Sequence, residues 1–287
     1  MDRDKQFGLL GTAIGHGQPK PGVEKSYEYL ELVGFWTELA AKYEFKNFGS
    51  LEKVESSKAY NNLFHKTLEI INSGYRPLLI GGDHSQAFAT VSALCNKYQD
   101  LRIIWVDAHA DMNTPETSPS GNSHGMPLSG LLGLVDKNIW GMPWMNQLLK
   151  PEQVIHLGVR DMDDGEVALM RKYKVEHYTP QDIKEKGLSE VLNDISKRWQ
   201  GLPTHLSFDI DGLDNSLVPA TGTPVAGGLD MNDAKVIIEA AKNDFDLIAC
   251  EVVEFNPDLA STPAELATTE KNVKALINQI LSTFADS

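Results

Sequence analysis

Trp105-Val106-Asp107-Ala108-His109-Ala110-Asp111-Met112-Asn113-Thr114 is the stretch on which the reading of this chain turns. Ahead of it, Leu101 to Val106 is an apolar run rich in β-branched and aromatic residues, the pattern of a buried strand in a parallel sheet. At Asp107 the character flips. Asp107, His109 and Asp111 follow at every second position, and in an extended backbone that spacing turns all three side chains to one side. Two carboxylates and an imidazole at the tip of a buried strand are costly unless a cation sits among them. A metal ion is the simplest such cation; a polar turn whose charges reach water is the plainer alternative.

Working outward, strands and helices alternate. Upstream, Phe7–Ile14 reads as a strand, Val23–Tyr43 and Ser57–Asn72 as helices, and Pro77–Ile80 as a strand that delivers Gly81-Gly82-Asp83-His84-Ser85. A helix over about Gln86–Tyr98 leads into the central strand. Downstream come strands at Val154–Val159, Val175–Tyr178, His205–Phe208 and Leu247–Phe255, with helices over Pro180–Trp199, Met231–Asn243 and Pro263–Phe284. No repeat or linker interrupts residues 1–287, so the expectation is one doubly wound α/β domain, a three-layer α-β-α arrangement about a mainly parallel sheet. The glycines after the first strand fall as G-x-G-x-x-x-x-G, which does not fit a dinucleotide-binding loop.

Composition narrows the function classes. The chain carries 26 Lys and Arg against 40 Asp and Glu, a net charge of −14 with no basic cluster, which argues against a nucleic-acid partner. Cys95 and Cys250 lie far apart in apolar segments and read as buried thiols, not as a disulfide or zinc framework. The charged start Met1-Asp2-Arg3-Asp4-Lys5 does not open a signal peptide, and no apolar run is long enough to span a membrane. A soluble, cytoplasmic protein is expected.

In doubly wound sheets, ligands gather beyond the C-terminal strand ends. Asp83-His84, Asp107-x-His109-x-Asp111, Asp161-x-Asp163, Asp209-x-Asp211 and Glu254 all fall at such ends and are expected to share one rim. Taken together, His84, Asp107, His109, Asp111, Asp209 and Asp211 supply four carboxylates and two imidazoles. This oxygen-rich, cysteine-free set suits a hard or borderline divalent ion, manganese over zinc, and four Asp charges balance two such ions. A metal pair can activate a shared water near neutral pH. The loop from Asn113 to Pro127, crowded with hydroxyls, amides and turn formers, leaves the same strand and is placed to act as a specificity lip.

Gly81-Gly82-Asp83-His84-Ser85, Asp107-Ala108-His109-Ala110-Asp111 and Ser207-Phe208-Asp209-Ile210-Asp211 resemble the three signatures of the ureohydrolase superfamily. Within it, the loop Ser120-Gly121-Asn122-Ser123-His124-Gly125 and the run Pro219-Ala220-Thr221-Gly222-Thr223-Pro224 are most similar to the arginase family. Gly17-Gln18-Pro19 and Glu254-Phe255-Asn256-Pro257 extend the likeness over nearly the whole chain.

The resemblance implies hydrolysis of L-arginine to L-ornithine and urea by a hydroxide bridging two Mn²⁺ ions, with Co²⁺ or Fe²⁺ as alternatives. It places His84, Asp107, Asp111 and Asp209 on one metal and Asp107, His109, Asp209 and Asp211 on the other. Asp111 would steady the nucleophile, His124 would act as general acid or proton shuttle, and Glu254 would pair with the guanidinium beside Thr223. Asn113, Ser120 and Asn122 match α-carboxylate contacts, and Asp163 and Glu166 match α-amino contacts, Glu166 through water. A homo-oligomer, trimer or hexamer, is implied as well. The chain departs from the family pattern at Pro21, Ala110 and Asn215, and most broadly between Phe35 and Ser57. The other histidines, His16, His65, His156, His177 and His205, read as satisfied core or surface residues. Alternatives are a ureohydrolase acting on agmatine, a silent arginine-binding protein on the same scaffold, and a binuclear phosphoesterase, which the lack of an Arg/Lys clamp disfavours.

Overall fold

Eight short strands join in one sheet, and every pairing between them is parallel. The computed structural model describes residues 6–136, 138, 141–145 and 149–285; the 1–5 segment read above lies outside the described residues. The strands are β1 (Phe7–Gly11), β2 (Phe45–Ser50), β3 (Arg76–Ile80), β4 (Arg102–Val106), β5 (Val154–Leu157), β6 (Glu176–Tyr178), β7 (Pro203–Asp209) and β8 (Asp246–Val253). Their order is β2-β1-β3-β8-β7-β4-β5-β6. The central strands are buried along nearly their whole length, which is why they read as apolar runs and not as alternating ones.

Helices cover both faces. Beneath one face lies a core to which α1 (Ser26–Leu32), α2 (Phe35–Ala40), α7 (Pro180–Lys186), α8 (Leu188–Arg198), α9 (Met231–Asn243) and α10 (Pro263–Ala285) contribute. The other face is covered by α3 (Ser56–Asn72), α4 (Ala87–Lys97), α5 (Pro127–Leu131) and α6 (Asp164–Tyr173). In α8 the sequence logic is plain: Leu188, Val191, Leu192 and Ile195 fall on one helical stripe and are buried. Burying each such side chain contributes about 1.5–3 kcal/mol. Helix α4 is buried on every side from Ala87 to Cys95, and its Ala and Ser residues let it pack between α3 and α5.

Several local expectations are corrected. The helix expected over Val23–Tyr43 divides into α1 and α2 at Gly34, whose φ of 76° is left-handed. The helix expected over Pro180–Trp199 divides at Gly187, with φ of 84°. Strand β2 lies in the Phe35–Ser57 segment, where half-exposed, mixed residues on a sheet edge gave no periodicity. Most consequential, β4 ends at Val106, and the 107–111 segment is not extended: Asp111 has φ of 52°. The Ala108 carbonyl accepts from the Arg160 and Asp161 amides, bending the chain toward β5.

Candidate active site

The strand order places the tips of β3, β8, β7 and β4 side by side, and each delivers an acid or a histidine. His84 follows β3 after Gly81 and Gly82, both left-handed. Asp83 caps that turn, accepting from the Ser85 amide at 3.0 Å and the Gly17 amide at 2.7 Å. A Cβ on Gly17 would stand 2.6 Å from an Asp83 oxygen, so only glycine permits this approach. Asp107 follows β4; Asp209 ends β7 and caps the next turn by accepting from the Asp211 amide at 2.9 Å. Glu254, just beyond β8, has φ of 67°. Left-handed backbone at both Asp111 and Glu254 costs of order 1–3 kcal/mol each and marks where the fold holds side chains against local preference.

Two His/Asp cradles result, joined through Asp107. His84 Nδ1 lies 3.0 Å from Asp107 Oδ2, 3.1 Å from Asp111 Oδ2 and 3.3 Å from Asp209 Oδ2. His109 Nδ1 lies 3.4 Å from Asp107 Oδ1 and 3.2 Å from Asp211 Oδ2. The donor atoms of His84, Asp107 and Asp111, and those of Asp107, His109 and Asp211, lie within 4.8 Å of one another and could hold a metal ion. All six residues expected at the metals are therefore brought together, although turns, not extended backbone, do it.

The electrostatics fit a cation. Burial and the charge of Asp107 push Asp111 up to about 7, and burial with neighbouring carboxylates also raises Asp209 and Asp211. Burial disfavours charge on His84, yet its bonds to Asp107, Asp111 and Asp209 outweigh this and hold it well above the usual imidazole range. Asp111 Oδ2 is buried, 3.1 Å from His84 Nδ1, and shares that single ring nitrogen with Asp107 and Asp209. Four converging acids, three of them crowded on one imidazole nitrogen, are what a divalent ion would relieve. Carboxylate and imidazole donors without sulfur suit manganese-like ions.

At the rim, His124 Nδ1 lies 3.2 Å from Glu254 Oε1, and Gln18 donates to Glu254 Oε2 at 2.7 Å. Burial lowers His124, but the Glu254 carboxylate outweighs it and pushes the imidazole up to about 9. The Asn113 amide donates to Asp163 Oδ2 at 2.9 Å. Glu166 is turned inward: its two oxygens accept from the Met112 and Asp163 amides, each at 3.1 Å, so it clamps the start of the Asn113 loop to α6. Thr223 donates to Asp211 Oδ2 at 3.0 Å and so touches a cradle residue. Ser120 is exposed and Asn122 half-buried on the loop, the Ser120 hydroxyl accepting from the Asn122 amide at 3.2 Å.

The family departures are accommodated. The Asn215 amide donates to the Val225 carbonyl at 3.2 Å, a bond proline lacks, and the Pro21 carbonyl accepts from Asn256 at 3.0 Å. Ala110 is fully buried in the core beside Trp105 and Met112. Sequence reasoning quoted Gln18 and Ser207 within motifs and set Glu251 on the late strand but gave none of them a role; Gln18 holds Glu254, and Ser207 and Glu251 stand behind His84. Of the other histidines, His16, His177 and His205 have polar partners and His65 lies against the Phe64 ring. His156 departs from expectation, for both ring nitrogens are buried without a hydrogen bond among the described residues, and burial lowers it to about 4.

Fold and site together define a doubly wound α/β protein with paired His/Asp cradles at its topological switch. A family model described as the Arginase family matches residues 6–281. Hepatic arginase of Aquarana catesbeiana is 34% identical over 302 residues, covering 98% of this chain and 93% of that protein. The crystal structure of arginase from Bacillus subtilis superposes with a TM-score of 0.89 at 30% identity, covering 96% of this chain and 98% of that one. Entamoeba histolytica arginase, solved in complex with L-ornithine, gives 0.86 at 29% identity, over 97% and 99% of the two chains. The chain belongs to the arginase family.

Proposed function

We propose that this protein hydrolyses L-arginine to L-ornithine and urea with two Mn²⁺ ions, held by His84, Asp107, Asp111 and Asp209 on one side and Asp107, His109, Asp209 and Asp211 on the other. The observation that carries the reading is the joined pair of cradles beneath a rim holding Glu254 and His124. When bound, the metal pair supplies a water activated toward hydroxide near neutral pH.

The chain's own residues supply the rest. Glu254, buried and held below the usual carboxylate range by His124 and by backbone and Gln18 donors despite its burial, is charged to receive a guanidinium. Its fixed position aims the guanidinium carbon toward the cradles. Water adds to that carbon, and Asp111, a buried carboxylate of the His84 cradle, takes the proton released. The C–N bond to the ornithine nitrogen then breaks, and the amine leaves only if protonated. His124, shifted up to about 9, carries that proton at neutral pH and stands beside the guanidinium partner.

Arginine is preferred over agmatine because Asn113, Ser120 and Asn122 offer neutral donors to an α-carboxylate, while Asp163 faces the α-amino group and Glu166 fixes the loop between them. The reading carries with it a homo-oligomer, by likeness to the family. The test is urea release from L-arginine and, in parallel, from agmatine, with added Mn²⁺ and with a chelator. Metal-dependent turnover of arginine with little from agmatine is expected; turnover of agmatine alone would overturn the loop assignment, and silence on both in metal-loaded protein would overturn the activity.

A further inference from the structure

Behind His84 runs a buried polar chain that the proposed chemistry does not use. His84 Nε2 lies 2.8 Å from Ser207 Oγ, and the Ser207 hydroxyl donates to Glu251 Oε1 at 2.7 Å. Glu251, wholly buried on β8 opposite Ser207, also has His205 Nε2 at 3.2 Å and accepts from Gln86 Nε2 and Thr90 Oγ1, each at 2.9 Å. The Gln86 amide oxygen is held in turn by the Thr12 hydroxyl at 2.6 Å, so the chain reaches the opening loop.

The direction of these bonds follows from counting protons. A hydroxyl has one hydrogen to give, and a carboxylate accepts only. With the Ser207 proton committed to Glu251, Ser207 Oγ must accept from His84, so Nε2 keeps its hydrogen and the proton that a metal ion would displace is the one on Nδ1, facing Asp107, Asp111 and Asp209. We infer that Glu251 is a positioning residue that, through Ser207, fixes the His84 tautomer for metal capture, an inference that rests on the proposed metal site. Burial favours a neutral Glu251, but the His205 and Gln86 bonds overcome this and hold it down to about 2. Neutralising it breaks the logic: the amide of Glu251→Gln can donate to Ser207, reverse the hydroxyl, and put the His84 proton on Nδ1, in the metal's place.

The experiment is Mn²⁺ titration of the full chain, with free Mn²⁺ read by electron paramagnetic resonance and folding checked by circular dichroism. Wild type is expected to take up two ions. Glu251→Gln is expected to weaken one of them by about 10–100-fold and leave the other unchanged, and Glu251→Asp, which keeps the charge and the acceptor, is expected to recover most of the loss. Folded Glu251→Gln binding both ions as wild type does would overturn the inference and leave the proposed function standing. Wild type binding no Mn²⁺ would overturn the function as well. Should Glu251→Gln fail to fold, Ser207→Ala carries the same test: selective weakening of one ion supports the inference, and two wild-type affinities overturn it.

Discussion

The two cradles share Asp107 yet are built differently. His84 has 1% of its side chain exposed, stacks on Trp105 at 4.2 Å between ring centres, and is backed by the Ser207–Glu251 chain. His109 is 22% exposed, and behind its Nε2 stands Asp161, itself 65% exposed and 3.7 Å away. A buried, fully bonded ligand loses little freedom when it captures an ion, whereas an exposed one must be ordered and shielded each time. The difference teaches that a symmetric list of ligands does not make a symmetric site. The deep half is expected to hold its ion more tightly, and the rim half to exchange it.

The largest expected effect removes what the halves have in common. Asp107→Asn should lower arginine turnover at least about 10³-fold while the protein stays folded, since both cradles lose a charged oxygen; Asp209→Ala should do the same. Urea release and circular dichroism measure both, and near-normal turnover in either variant would sink the metal assignment. Next, a competitive chelator should strip wild type in two phases separated by at least about tenfold in affinity. His109→Asn should abolish the easily lost phase. If His84→Asn abolishes that phase instead, the ranking of the halves is inverted.

His124 extends the comparison to the rim. Its loss, as His124→Asn, should lower kcat by about 10²–10⁴-fold with metal content unchanged. It should also cost stability in a pH-dependent way. The folded imidazole sits at about 9, above its ordinary 6.5, so its pairing with Glu254 stabilises fully below 6.5 and the gain is lost as pH rises through 9. The Tm gap between metal-free wild type and His124→Asn should therefore be widest at pH 6 and close by about pH 10. A gap that widens with pH would contradict the pairing.

How much of this was legible beforehand follows the same division. The ligands lay open in the sequence because an apolar strand ending in acids and histidines is a local signal, and β3, β4, β7 and β8 each carry one. The path between ligands was not legible. The even spacing of Asp107, His109 and Asp111 invited an extended backbone, but the carbonyl of Ala108 is taken by residues from beyond β5, and Asp111 is left-handed. Such long-range bonds leave no trace in a periodicity. The support behind His84 left a faint one: His205 and Ser207 break the apolar run of β7 at alternate positions, and Glu251 does the same on β8. Polar residues with period two inside buried strands must find partners on the same face. Edge strand β2 and the breaks at Gly34 and Gly187 were lost for the opposite reason, since little burial or a single glycine decides them.

The smallest expected effect lies farthest from the deep half. Ser120 is exposed, and its modest hydrogen bond to a substrate carboxylate should be worth about 1 kcal/mol, or about fivefold in binding. Ser120→Ala should thus raise the KM for arginine a few-fold, leave kcat nearly unchanged, and leave turnover of agmatine, which has no carboxylate, as it was. Both Mn²⁺ affinities should stay at wild-type values, because no bond links Ser120 to either cradle among the described residues. That last readout is the sharp one. If removing a single exposed hydroxyl loosened the His84 ion, the deep half would not be insulated from the rim, and the contrast between the two cradles would have to be replaced by one coupled site.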